Sequence, residues 1–228
     1  MILFLSISAI YSGILLFYRP LPDSIKANPL SLSDNYRAIK ASLFLGPFFL
    51  IVFLFTSDLE FLVVNKNLYD LFALNNAREI TPYWPIQAIT HLFIHSDLYH
   101  VAANVSGIGL ASVYERRVGS KRFISVFAAA CVASIPSIFF YPTSTAICGI
   151  SGGVFGLAAA YFTDHDNLTT KEWFYAVLLG TFLMVLFLIQ GEFKSNSNEY
   201  LQLRVDHIGH LMGFIGAIMY CRLTSKSD

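Results

Sequence analysis

Seven apolar stretches run along this chain, at roughly residues 2–18, 41–57, 92–114, 123–141, 147–163, 173–190 and 206–221. Each approaches the ~20 helical residues that cross a hydrocarbon core of about 30 Å. Together they predict an all-α, polytopic membrane helix bundle. The composition excludes a soluble domain: 55% of residues are hydrophobic and 13% charged, where soluble domains carry about 25% charge. Formal net charge is zero, so no global field favours nucleic acid or acidic substrates. The expected surroundings are a lipid bilayer.

Lys and Arg in the short loops orient such a chain. Arg19, Lys26, Arg37 and Lys40 lie between the first and second stretches, Arg116, Arg117, Lys121 and Arg122 between the third and fourth, and Arg222 and Lys226 after the last. These loops share one side, expected to be cytoplasmic, with the N-terminus outside and the C-terminus inside. No basic residue precedes the first stretch, and the following RPLPDS is no small-residue cleavage site. It is therefore read as a retained helix and not a signal peptide. The expected organisation is residues 1–40 as an extra transmembrane helix and cytoplasmic linker, 41–223 as the main membrane domain, and 224–228 as a short tail. No Arg-rich amphipathic start is visible, so a bacterial plasma membrane is the expected location.

The stretch ICGISGGVFGLAAAYF (Ile147 to Phe162) sets one serine between glycines. Small residues of this kind also serve close helix packing. The depth of other polar groups favours a site. Counted at 1.5 Å per residue, Ser151 lies about 20 Å from Asp164, His210 about 18 Å from Arg222, and Asn104 and His100 about 16 and 22 Å from Glu115. Three helices thus bring rare polar groups, expensive to bury without partners, to a common level. Serine becomes a nucleophile when a base takes its proton, and a neutral His210 can act as that base. His100 and Asn104, at i and i+4, share a helix face and can donate to a developing oxyanion. The Ser151 N–H, at a helix start, is a further donor. Gly149, Gly152 and Gly153 leave the backbone open to a substrate carbonyl.

These residues resemble the rhomboid intramembrane serine proteases over roughly residues 80 to 220. GISG (Gly149 to Gly152) resembles the family's G-x-S-G nucleophile turn, THLFIHSDLYHVAAN (Thr90 to Asn104) its segment ending H-x-x-x-N, and GHLMGFIGA (Gly209 to Ala217) its final helix with H-x-x-G. The resemblance implies a six-helix core, here with one extra N-terminal helix. It implies a Ser-His dyad of Ser151 and His210, and an oxyanion hole from His100, Asn104 and the Ser151 N–H. Gly149, Gly152, Phe155 and Gly213 become supporting residues, with Phe155 against the catalytic histidine. Glu115 and Gly119 in YERRVGS resemble the family's structural turn. The implied activity is hydrolysis of peptide bonds in or near transmembrane helices of membrane protein substrates, from the non-cytoplasmic side. No metal or organic cofactor is implied.

There are departures and rivals. Where the family often has Trp-Arg, this chain reads Ile86-Gln87, with Trp84 nearby as a substitute ring. Asp206 could be cast as a triad carboxylate, but the resemblance implies a dyad, and Asp206 is expected at the outer interface. His207 fails the H-x-x-G pattern. His95 is read as loop packing or hydrogen bonding rather than catalysis, and His91 as interfacial. Asn167 to Thr169 fits a glycosylation pattern but falls on the expected cytoplasmic side. Cys131, Cys148 and Cys221 form no CxxC pair and are read as packing. One rival is a catalytically silent relative that binds transmembrane substrates. Another is a metal-dependent hydrolase using His95, His100, Asp206, His207 or His210, which lacks an HExxH ligand set.

Overall fold

The computed structural model describes residues 2–17, 31–76, 82–142, 145–165, 169–171 and 205–224, with a few positions between 173 and 185. The apolar stretch at 173–190, the loop at 191–205 and the Asn167 motif lie wholly or largely outside these residues. What is described is mostly helical. Helix α1 (Ile2–Phe17) is followed by a short α2 (Leu32–Ala38), α3 (Lys40–Thr56), α4 (Lys66–Phe72), α5 (Trp84–Thr90), α6 (Leu98–Val118), α7 (Ser120–Ser134), α8 (Ser151–Thr163) and α9 (His207–Leu223). A 3-10 helix (Ile135–Phe140) continues α7. Two short strands, β1 (Leu74–Asn75) and β2 (Ala146–Ile147), pair antiparallel with Leu74 opposite Ile147.

Among the described residues one continuous helical segment, Ser120–Phe140, is by itself long and apolar enough to cross a membrane. The 21-residue α6 has the length, but it carries His100, Asn104, Glu115, Arg116 and Arg117, which lower its hydropathy. Helices α2 and α3 meet the test together across a 69° bend.

Specific chemistry sets the helix ends. The Asp97 side chain caps α6 by accepting the His100 backbone N–H at 2.8 Å, and Gly119, at φ 80°, ends it. One turn earlier, Glu115 is fully buried. Its carboxylate accepts the N–H groups of Ala41 (2.7 Å) and Ser42 (2.9 Å) and the hydroxyls of Ser42 and Ser120 (both 2.6 Å). A carboxylate there satisfies orphan donors and complements the positive end of α3.

Helix α1 packs on α3 and touches α6. Phe4 meets Phe53 and Phe61, and the Tyr11 hydroxyl donates to the Ser42 carbonyl at 3.0 Å. The end of α1 is latched by the buried Asn35, whose amide donates to the carbonyls of Leu15 (3.1 Å) and Leu16 (2.8 Å). Arg116 of α6 completes the latch, donating to Asn35 Oδ1 at 3.0 Å and to the Leu15 carbonyl at 3.4 Å.

Helix α8 packs against α6, α7 and α9. Of its 13 residues, Ser151, Gly152, Gly153, Phe155, Gly156, Leu157, Ala159, Ala160 and Thr163 are buried. Its approach to α9 is a backbone-to-backbone contact: a Cβ on Gly213 would run into the carbonyl group and Cα of Gly152. This closeness lets side chains one turn away on each helix meet directly.

Candidate active site

The segment leading into α8 is held from several directions. β2 pairs with β1. The Asn76 amide donates to the Tyr141 carbonyl at 2.9 Å, and its oxygen accepts the Thr145 N–H at 2.9 Å. The Gly149 N–H donates to the His91 carbonyl at 2.8 Å. Gly149 itself has φ +99°, a region L side chains rarely adopt. A Cβ there would also lie 2.7 Å from His100 Cε1 and 2.8 Å from Nε2. The turn thus needs glycine twice over, for its backbone and for the imidazole edge beside it.

Past that turn Ser151 begins α8, so its N–H has no carbonyl four residues back within the helix. Its hydroxyl lies 2.7 Å from His210 Nε2 on α9. Both residues are buried, at 7% and 2% exposure. Phe155, one turn along α8, stacks flat on the His210 ring with centroids 4.4 Å apart and planes 7° apart. The ring is therefore held in one plane, with Nε2 aimed at the serine.

His100 and Asn104 stand on α6. The His100 ring presents its Cε1–Nε2 edge to Gly149, and its other nitrogen, Nδ1, lies 3.1 Å from Ser96 Oγ. Asn104 is buried at 3% exposure, and its side-chain nitrogen donates to no described residue. It lines a mainly apolar cavity of ≈ 480 Å³ between α6 and α8, with Gly107, Leu110, Val154 and Phe155. A buried donor of this kind is poised for an incoming acceptor.

The other singled-out residues take clear places. His95 is fully buried, edge-on to His100 with centroids 5.1 Å apart and beside Phe49. His91 is buried within the protein, its Nδ1 2.9 Å from the Gln87 carbonyl. Gln87, where the family often has arginine, is buried as well. It donates to the Leu71 carbonyl at 3.2 Å and accepts from Asn75 at 3.4 Å. Trp84 stacks on Phe139. The Asp206 carboxylate caps α9, accepting the Gly209 N–H (2.7 Å) and the hydroxyls of Ser137 (2.7 Å) and Tyr141 (3.0 Å). His207 sits with its ring 6.2 Å from that of His210 and nearly perpendicular to it. Among the described residues no three His, Cys, Asp or Glu side chains converge as a metal site would require.

Two pairs of partners were not singled out from sequence. Ser137 and Tyr141 hold Asp206, and nothing local in the sequence marks them. Ser96 and Asp97 do carry a readable signal, since Asp directly before an apolar-periodic run is a helix N-cap signature.

The family model described as Rhomboid domain matches residues 83–227. Comparison with curated proteins gave no match.

Proposed function

The chain belongs to the rhomboid family, and on that membership and the Ser151–His210 contact we propose that it is an intramembrane serine endopeptidase. Rhomboid proteins are membrane-integral and in general intramembrane serine proteases. The Ser151–His210 contact supports the following reaction. His210 Nε2 takes the Ser151 proton as Oγ attacks the scissile carbonyl carbon, and the carbonyl π pair moves to oxygen. The resulting oxyanion is held by His100, Asn104 and the Ser151 N–H. His210 then gives its proton to the leaving amine, and water repeats the sequence on the acyl-enzyme. Phe155 fixes the imidazole plane through both half-reactions.

The substrates are single-span or other transmembrane proteins, cut near the outer ends of their helices. A 13-residue α8 is about 20 Å long, less than the ~30 Å hydrocarbon core. With Asp164 at the cytoplasmic edge, Ser151 then lies about 10 Å below the outer surface. The proposed layout is six core helices plus α1, N-terminus outside, in a bacterial plasma membrane.

The single observation that carries this reading is the 2.7 Å contact between a buried serine and a buried histidine from helices 59 residues apart. The test is cleavage of a single-span substrate by purified protein in liposomes, comparing wild type, Ser151→Ala and His210→Ala with and without a chelator. Cleavage that survives the chelator and vanishes in both variants supports the dyad. Absence of cleavage across several substrates, with Ser151→Ala binding them as wild type does, means a silent relative.

A further inference from the structure

The residues that precede α6 determine where a proton sits on His100. Asp97 Oδ1 accepts the His100 backbone N–H at 2.8 Å, while Asp97 Oδ2 accepts the Ser96 hydroxyl at 2.9 Å. The same Ser96 Oγ lies 3.1 Å from His100 Nδ1. Ser96 and Asp97 are buried, at 5% and 7% exposure. Their backbone is fixed as well: the Ser96 carbonyl accepts the Val64 N–H at 3.0 Å, and Asp97 bridges to Val63.

A serine hydroxyl has one hydrogen, and an ionised carboxylate only accepts. The Ser96 hydrogen therefore points to Asp97 Oδ2, and what Ser96 Oγ shows to His100 Nδ1 is a lone pair. Nδ1 must be the donor. In a neutral ring the other nitrogen, Nε2, then bears a lone pair. Nε2 is on the edge facing Gly149, where a lone pair would repel an oxyanion.

We propose that Ser96 and Asp97 form a relay that keeps Nδ1 of His100 protonated, so that His100 serves the oxyanion hole as an imidazolium cation. This rests on the proteolytic reading above. Neither relay residue touches substrate; both are positioning residues acting through His100. The chemistry balances, because His100 keeps both protons throughout and the only proton in transit is the one between Ser151 and His210. A charge-assisted bond is roughly twice as strong as a neutral one. Among the described residues, the titratable groups near His100 include Asp97 through Ser96, His95 edge-on from the preceding loop, and His210 from α9. The Asp97 carboxylate, reached through Ser96, supplies the cation with a counter-charge.

Asp97→Asn isolates the relay. The helix cap keeps the amide oxygen on the His100 N–H, so the amide nitrogen faces Ser96 Oγ and donates to it. Ser96 must then send its hydrogen to Nδ1, and the ring becomes neutral with its proton on Nε2. The experiment is nitrogen NMR of full-length protein in micelles with labelled histidine, the His100 signals being assigned by their loss in His100→Gln. At neutral pH, wild type should show both His100 nitrogens protonated, and Asp97→Asn a bare Nδ1 with a protonated Nε2. Cleavage is measured on the same samples. Wild-type kcat should fall as pH rises through the His100 titration, because deprotonation leaves Nε2 without a proton. Asp97→Asn should lose that alkaline fall, at a plateau lower by less than the roughly 10²-fold that removing a donor costs and with KM unchanged. A wild-type ring with bare Nδ1, a neutral wild-type ring at neutral pH, or identical spectra in Asp97→Asn would each overturn the proposal. Both nitrogens protonated in a protein that cleaves nothing would preserve the relay and remove the proteolytic reading, so the two failures are distinguishable.

Discussion

Replacing Asp206 by Asn distinguishes a clamp from a third catalytic group. The carboxylate accepts from Gly209 N–H, Tyr141 and Ser137, and none of these bonds goes to the His210 ring. Asn keeps the shape. Its oxygen can stay on Gly209 N–H and Tyr141, and its NH₂ can donate to Ser137 Oγ, so the geometry survives and only the charge is lost. Hydrogen bonds to charged groups contribute about 1.5–3 kcal/mol against about 1 for neutral ones. Three bonds weakened by about 0.5–1 kcal/mol each give a stability loss of roughly 2 kcal/mol, with no added capping cost because Asn and Asp cap about equally. At about 2–4 °C per kcal/mol for a chain of this length, Tm in detergent should drop by roughly 4–8 °C. The expected kcat stays within about tenfold of wild type. Where a carboxylate does orient a catalytic imidazole, the same substitution costs about 10⁴ in kcat. The assay is cleavage of a single-span reporter beside a thermal melt of the same preparation. A kcat loss of 10³ or more with an unchanged melt would refute the clamp.

Gly149→Ala should lower stability by about 1–3 kcal/mol, the cost of a non-glycine residue at such a φ. By displacing the His100 ring it should also cut kcat roughly 10²–10³-fold, but by far less in a His100→Ala background; additive losses in this double-mutant cycle would show that the turn acts some other way. Phe155→Ala should destabilise by about 3–5 kcal/mol, whereas Phe155→Tyr retains the stacked ring and should keep most of the activity; kcat for both variants, measured below their melting temperatures, checks this. At the far end of α8, burial alone would raise the Asp164 carboxyl, but bonds from Arg122 and Tyr114 prevail and hold it below its ordinary value. Its folded-state titration is therefore depressed. The stabilisation is present above the unfolded carboxylate range near pH 4 and lost as pH falls through the folded value. Melts of wild type and Asp164→Asn should converge on acidification, and a difference that persists into acid refutes the assignment.

The positions of Ser151 and His210 were legible because each lies in a short motif at a readable helical depth. Counting residues from the charged ends put both at one level, and they stand in hydrogen-bond contact. The helix ends were less legible. The apolar run from 92 becomes helical only at 98, since Asp97 caps there and the residues before it form a turn whose His91 carbonyl accepts the Gly149 N–H. Likewise the run from 147 includes β2 and the Gly149 turn before helix begins at 151. Apolar composition reports depth, not backbone conformation. Helices α2, α4 and α5 were missed because seven residues offer too little periodicity to stand out. Partners such as Ser137 for Asp206 were invisible because their contact depends on how α9 lies against the 3-10 helix, which no local pattern encodes.

The latch at the end of α1 also imposes an order on synthesis. Leu15 leaves the ribosome before one of its hydrogen-bond partners, Arg116, which comes 101 residues later. At 5–20 residues per second that is a delay of about 5–20 s. Through that interval Asn35 can engage the carbonyls of Leu15 and Leu16 but not yet the guanidinium. The first helix must wait, half-fastened, until the helix that carries His100 and Asn104 arrives to fix it.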